Sequence, residues 1–165
     1  MVRITVRSAT RSDKSLLRRL MELYLYDFSE FTEEDVNEHG LYGYEYLDHY
    51  WTQTERHPFL ICVDDQTAGF ALVRTLRLET GEVIHSVAEF FIMRKYRGQG
   101  VGREVACRLF DRFPGRWRVG ERQENRGAQI FWRKVIGEYT GGEFEESTHP
   151  RWDGPMQTFE TPEAD

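Results

Sequence analysis

The sequence predicts a mixed α/β (α+β) domain, and three observations predict it. Short runs rich in β-branched and aromatic residues recur from the N-terminus to the C-terminus. Between them lie longer segments with apolar residues every three to four positions. A glycine-rich hexapeptide, Arg97-Gly98-Gln99-Gly100-Val101-Gly102, joins one of the apolar runs to one of the helical segments. At 165 residues the chain has the length of one domain, 1–165, with enough residues to bury a core.

The elements follow in order. Residues 2–7, Val2-Arg3-Ile4-Thr5-Val6-Arg7, alternate like a strand and unlike a signal peptide. A helix is expected over 13–29, capped by Ser12 or Thr10, with Leu16, Leu17, Leu20, Leu23 and Tyr24 on its inner face. The stretch to residue 52 reads as irregular or short-helical. Strands at 58–64, 67–78 and 82–93 are separated by the turn sequences Asp64-Asp65-Gln66-Thr67 and Glu79-Thr80-Gly81-Glu82, which makes them an antiparallel meander. After the hexapeptide, Val101, Val105, Leu109 and Phe113 recur every four residues, with Cys107 and Phe110 widening that face, so 101–113 is a helix. Pro114-Gly115 stops it, and 116–121 is a strand. A further helix over 125–139 has Asn125 as its N-cap and Ala128, Ile130, Phe131, Val135 and Ile136 as apolar contacts. Gly141-Gly142 ends that helix, and strands near 143–148 and 154–160 precede a polar, frayed end at 161–165.

The hexapeptide is a strand-to-helix turn. Glycines there let the backbone take positive φ and bring amides close to a ligand, while the first helical turn offers unpaired N–H groups and a partial positive charge. Together these make an anion site, and the alternative is a tight turn with close helix packing. No Gly-Lys-Ser/Thr follows, as a P-loop requires, and the spacing is too compressed for a dinucleotide fingerprint.

Net charge is -6, unevenly spread. Residues 27–65 hold eleven acids against Arg56 alone, whereas 94–134 hold twelve Arg or Lys against four acids. These blocks are either two solvated faces or a basic region for a polyanionic cofactor and an acidic one for a cationic partner. Nucleic acid fits poorly, because the basic segment coincides with the glycine turn and helices. No apolar run approaches the roughly 20 residues of a membrane span, so no membrane partner and a cytoplasmic location are expected. Cys62 and Cys107 sit in apolar sequence as small hydrophobes. The histidines at 39, 49, 57, 85 and 149 form no short ligand pair with Cys or Asp, so no metal is expected.

These residues resemble the GCN5-related N-acetyltransferase (GNAT) superfamily, whose acetyl-CoA loop reads Gln/Arg-x-x-Gly-x-Gly/Ala, here Arg97, Gly100 and Gly102. A strand ending in Tyr-Arg-Gly precedes the loop, and an Asn-x-x-Ala-x-x-Phe-aromatic segment follows, here Asn125, Ala128, Phe131 and Trp132. The resemblance implies a mostly antiparallel sheet of six to seven strands flanked by about four helices. It implies acetyl-CoA held by Gly98, Gln99, Gly100, Val101, Gly102 and Arg103, with Arg97 and Arg103 neutralising phosphate. The pantetheine arm would lie along the strand ending at Phe91, Ile92 and Met93, with the amide of Phe91 or Ile92 as oxyanion donor, and Asn125 would touch the arm.

An ammonium has no lone pair with which to attack a thioester, so a general base is required. The resemblance points to Glu89, a carboxylate amid Phe90 and Phe91. His85, four residues earlier and so on the same strand face by simple alternation, is the second candidate; a cross-strand or cofactor-side salt bridge is the other reading of Glu89. Many members place a tyrosine where Trp132 stands, as the proton donor to the leaving thiolate. Tyr139 or a water could replace it, or a thiol of pKa near 8.5 could leave unassisted.

The segment Tyr42-Gly43-Tyr44-Glu45-Tyr46-Leu47-Asp48-His49-Tyr50-Trp51 walls the acceptor site in relatives. Its alternating aromatics and acids suit an amine, with Tyr26, Tyr42, Tyr44 and Tyr46 as acceptor-binding candidates; the alternative is an amphipathic helix packing Tyr46, Leu47, Tyr50 and Trp51 on the sheet. The leading expectation is an acetyl-CoA dependent N-acetyltransferase that acts on a small cationic amine by direct transfer in a ternary complex. A non-catalytic acyl-CoA module and a protein or peptide acetyltransferase are the alternatives, and a homodimer is possible.

Overall fold

A computed structural model describes residues 2–163. Its strands are β1 (Ile4–Ser8), β2 (Arg56–Val63), β3 (Gln66–Arg77), β4 (Val83–Ile92), β5 (Gly115–Gly120), β6 (Glu145–His149) and β7 (Trp152–Thr161). The α-helices are α1 (Lys14–Thr32), α2 (Val101–Arg112) and α3 (Arg126–Thr140). All strands join one sheet in the order β1-β2-β3-β4-β5-β7-β6, and every pair is antiparallel except β4 with β5. The mixed, mostly antiparallel sheet and the 58–93 meander stand as the sequence predicts.

Positive φ at Glu33, Gly40 and Gly43 breaks the acidic stretch after α1, so only a 3-10 turn at Leu47–Trp51 forms there. Thr161 is the end of β7 and not of a frayed tail: it is buried, and its hydroxyl accepts from the Gly115 N–H at 2.9 Å. Residues 164 and 165 of that expected frayed end lie outside the described residues. Among the described residues, no helix is long and apolar enough to cross a membrane.

The sheet separates two apolar layers. On one face Phe59, Val73 and Trp117 pack against Val105, Leu109 and Phe110 of α2 and Ile136 of α3. On the other, Phe70, Leu72 and Phe91 meet Leu17, Leu20, Met21 and Tyr24 of α1, with Leu47 and Tyr50 beneath. The helical period explains which α1 residues turn inward. Leu23, expected inside, falls on the outer side of that stripe and is 50% exposed, and on α3 Ile130 is 67% exposed.

Two irregularities of β4 build the site. Its register with β3 slips so that Leu72 pairs with Glu89 and Val73 with Val87, leaving Ala88 as a bulge. Its pairing with β5 covers only Ile84–Ser86 against Arg116–Arg118, so the two parallel strands diverge beyond Ser86 into a split.

Candidate functional site

A cavity of about 920 Å³ opens at the split beside the glycine turn. Gly98, Gly100, Val101, Gly102 and Arg103 form one wall, Phe90, Phe91 and Ile92 another, and Asn125, Ala128, Phe131 and Trp132 of the α3 start a third. Gly98 and Gly100 have φ of 75° and 79°, which a side chain would strain. Gly102 is glycine for a different reason: a Cβ there would come within 3.2 Å of the Phe131 ring, where α2 leans on α3. Gly100 caps α2 with no side-chain acceptor, which leaves the first amides of the helix free to hold an anion at this wall. Asn125 caps α3, its Oδ1 accepting from the Ala128 N–H at 3.0 Å. The turn therefore combines uncapped helix amides at the cavity wall with a close helix contact.

A second cavity, of about 810 Å³, adjoins the first and shares Tyr24, Phe28, Phe90, Asn125, Ala128 and Trp132 with it. Tyr42, Tyr44 and Tyr46 line it, as expected, together with Glu34, Glu45 and Glu89. Glu22 of α1 straps the tyrosine segment down, accepting from the Tyr42 and Gly43 N–H groups at 2.7 and 2.9 Å. Of the four residues that the packing alternative placed on the sheet, Leu47 and Tyr50 are buried against it, while Tyr46 is 46% exposed.

Glu89 projects into this second cavity. Burial pushes its carboxyl up to about 7, against the phenols of Tyr24 and Tyr44, which favour its charged form. Burial also raises both phenols, keeping them protonated. The Phe90 backbone amide acts on the Tyr24 oxygen as well.

Several expected residues lie elsewhere. The Ala88 bulge reverses the alternation, so His85 points to the opposite face from Glu89. There its ring lies 5.4 Å from Phe113 and 5.6 Å from Trp117, and its Nδ1 is 3.0 Å from the Thr75 hydroxyl, itself 3.0 Å from His57 Nε2. Tyr26 is 66% exposed on the outside of α1 and lines neither cavity. Tyr139 donates to Asp111 at 2.6 Å, away from both cavities. Met93 and Gln99 also line neither cavity: the Met93 N–H donates to the Ala68 carbonyl at 2.8 Å, and the Gln99 amide to the Lys95 carbonyl at 2.9 Å.

Arg97 lines the first cavity, as expected of a cofactor-side residue, with its guanidinium already engaged. It donates to the Ile92 carbonyl at 2.7 Å and to Asp27 at 2.8 Å, where Arg94 also donates at 2.6 Å. The guanidinium therefore pins the turn to α1 and β4. Arg103 is paired as well, with Glu138 at 2.9 Å, although 63% of its side chain is exposed. Tyr24 is the residue sequence reasoning placed only in the core. It is the single hydroxyl common to both cavities, and its position on the inner stripe of α1 was the available signal.

The description "Acetyltransferase (GNAT) family" belongs to the family model that matches residues 17–137, well over half of the chain. No curated protein matches it by sequence. An acetyltransferase structure from Thermus thermophilus is 16% identical with a TM-score of 0.71, covering 96% of this chain and 97% of that one. The aminoglycoside acetyltransferase AAC(6')-Ib in complex with coenzyme A is 15% identical, with a TM-score of 0.63 over 96% and 95%. The ribosomal-protein-S18-alanine N-acetyltransferase from Escherichia coli is 13% identical, with a TM-score of 0.62 over 99% and 97%. At these identities the likeness shows the fold.

Proposed function

The chain belongs to the acetyltransferase (GNAT) family, and from that premise we propose that it transfers an acetyl group from acetyl-CoA to the amine of a small acceptor, directly within a ternary complex. The observation that carries this reading is Glu89, a carboxyl poised near neutrality beside Tyr24 and Phe90, which the two adjoining cavities share.

The first cavity fits coenzyme A. The free amides at the start of α2 suit its pyrophosphate, and the unpaired edge of β4 beyond Ser86 can take the pantetheine amides as an added strand would. Bound acetyl-CoA supplies an activated acetyl thioester. The amine of the acceptor arrives as an ammonium, drawn by Glu34 and Glu45 and enclosed by Tyr42, Tyr44 and Tyr46. Glu89 takes the ammonium proton, freeing the nitrogen lone pair to attack the acetyl carbon. As the tetrahedral adduct collapses, Tyr24, held protonated by burial, gives its proton to the departing sulfur, the role that Trp132 cannot fill, and the excess proton of the acetylated nitrogen passes to the phenolate left behind. Neither Cys62 nor Cys107 lines either cavity, in keeping with direct transfer.

Thiol release from acetyl-CoA across an amine panel tests this. Glu89→Gln is expected to lower kcat/KM by roughly a hundredfold or more, while calorimetric affinity for coenzyme A is retained. Tight coenzyme A binding with no thiol release from any amine would leave a binding module in place of an enzyme.

A further inference from the structure

A row of side chains crosses the sheet next to the acceptor cavity without counter-charges. The register pairs Arg56 with Arg74, Arg74 with Ser86 and Ser86 with Arg118, so four neighbouring strands place three arginines and a serine side by side. All four line a further cavity of about 550 Å³, which also includes Tyr44, Tyr46 and Glu89 and so continues the acceptor cavity. Among the described residues, none of these three guanidiniums has a carboxylate within ion-pair distance, although Arg94, Arg97, Arg103, Arg116 and Arg133 all do. Arg56 donates to the Gln53 amide oxygen at 2.9 Å and lies over the faces of Tyr46 and Tyr50 at 5.7 and 5.4 Å.

Like charges directly opposite on paired strands repel, and half-buried arginines gain little from water. Such a row is stable against an anion. Guanidinium forks match carboxylate and phosphate oxygens in pairs, and Arg74 and Arg118 flank Ser86 from the two neighbouring strands, about 5 Å to either side. Along β4 the step from Ser86 to Glu89 is on the order of 10 Å. That is the reach of one small molecule.

We propose that the acceptor carries an anionic group, a carboxylate or a phosphate, as well as its amine. The amine lies at Glu89, and the anion lies over Ser86 between Arg74 and Arg118. The acidic, aromatic wall and the arginine row then read the two ends of a single zwitterion. A dication would meet the arginines unfavourably. This deepens the acetyltransferase reading and rests on it for the position of the amine.

Matched acceptors test the proposal by thiol release: glycylglycine against glycylglycinamide, aminoethyl phosphate against ethanolamine, and the diamine cadaverine. The anionic member of at least one pair is expected to be preferred by roughly tenfold or more in kcat/KM, with the difference in KM. Which pair shows it separates carboxylate from phosphate. Arg74→Gln and Arg118→Gln should each erase that preference, and Arg74→Gln, which relieves the repulsion with Arg56, should not lower the thermal midpoint. Equal or better use of the neutral members or of cadaverine overturns the proposal, as does an equal loss for both members in the arginine variants. If no acceptor releases thiol, the acetyltransferase reading fails, and calorimetric titration of the same pairs into the protein with coenzyme A added decides the subsite separately. Tighter binding of an anionic member that Arg74→Gln abolishes upholds it; equal binding of both members overturns it.

Discussion

The base role proposed for Glu89 rests on a contest between burial, which raises its carboxyl to about 7, and the Tyr24 and Tyr44 phenols, which pull it back down. Its base form is the ionised one, so kcat/KM should climb with pH up to about 7 and then level off, and Glu89→Gln should remove that inflection. Tyr24→Phe takes away a donor to the carboxylate, which moves the inflection of the residual activity to higher pH. Stability carries the same signature with the opposite sign. A folded-state value raised above 4.5 costs nothing below that pH and its full amount above about 7, on the order of 3 kcal/mol. Glu89→Gln should therefore raise the thermal midpoint at about pH 8 and leave it unchanged near pH 4. Glu89 was legible in the sequence as a carboxylate in an aromatic strand. His85 was misplaced because alternation alone cannot register a bulge, and Ala88 is an ordinary strand residue that announces none.

The glycine turn works as an element because each glycine meets a different constraint. Gly98 and Gly100 supply the left-handed backbone that aims amides into the cavity, and Gly102 supplies the close approach of α2 to α3. Gly100→Ala places a side chain at φ 79°, a cost of about 1 kcal/mol. Gly102→Ala pushes on the Phe131 ring, which lines the cavity and must give by a few tenths of an ångström. Both variants should weaken coenzyme A in calorimetry several-fold, and the thermal midpoint should fall by a few degrees. The sequence made the turn legible through its glycines and its place between an apolar run and a helical stripe. It hid the role of Arg97, because the partners of that guanidinium, Asp27 and the Ile92 carbonyl, are brought to it only by the fold.

At the scale of the whole molecule, one diverging pair of strands joins the glycine-turn cavity, proposed to hold coenzyme A, to a cavity walled by acids and aromatics. The fold class was legible because strand and helix periods differ plainly along the chain. The charge blocks were legible only as counts. Asp27, Glu138 and Glu146 satisfy Arg94, Arg97, Arg103 and Arg133 of the basic block, so part of its apparent excess is internal pairing. Arg56, Arg74 and Arg118 are among the arginines without an ion pair, and they come from positions that no linear window places together and only the strand register does. The central claim is that coenzyme A lies in the β4–β5 split with its pyrophosphate at the glycine turn. Amide hydrogen exchange with and without coenzyme A tests it most directly. Slowed exchange at 98–103 and 90–92, with β6 unaffected, is the predicted result; tight binding that leaves both segments unchanged would contradict it.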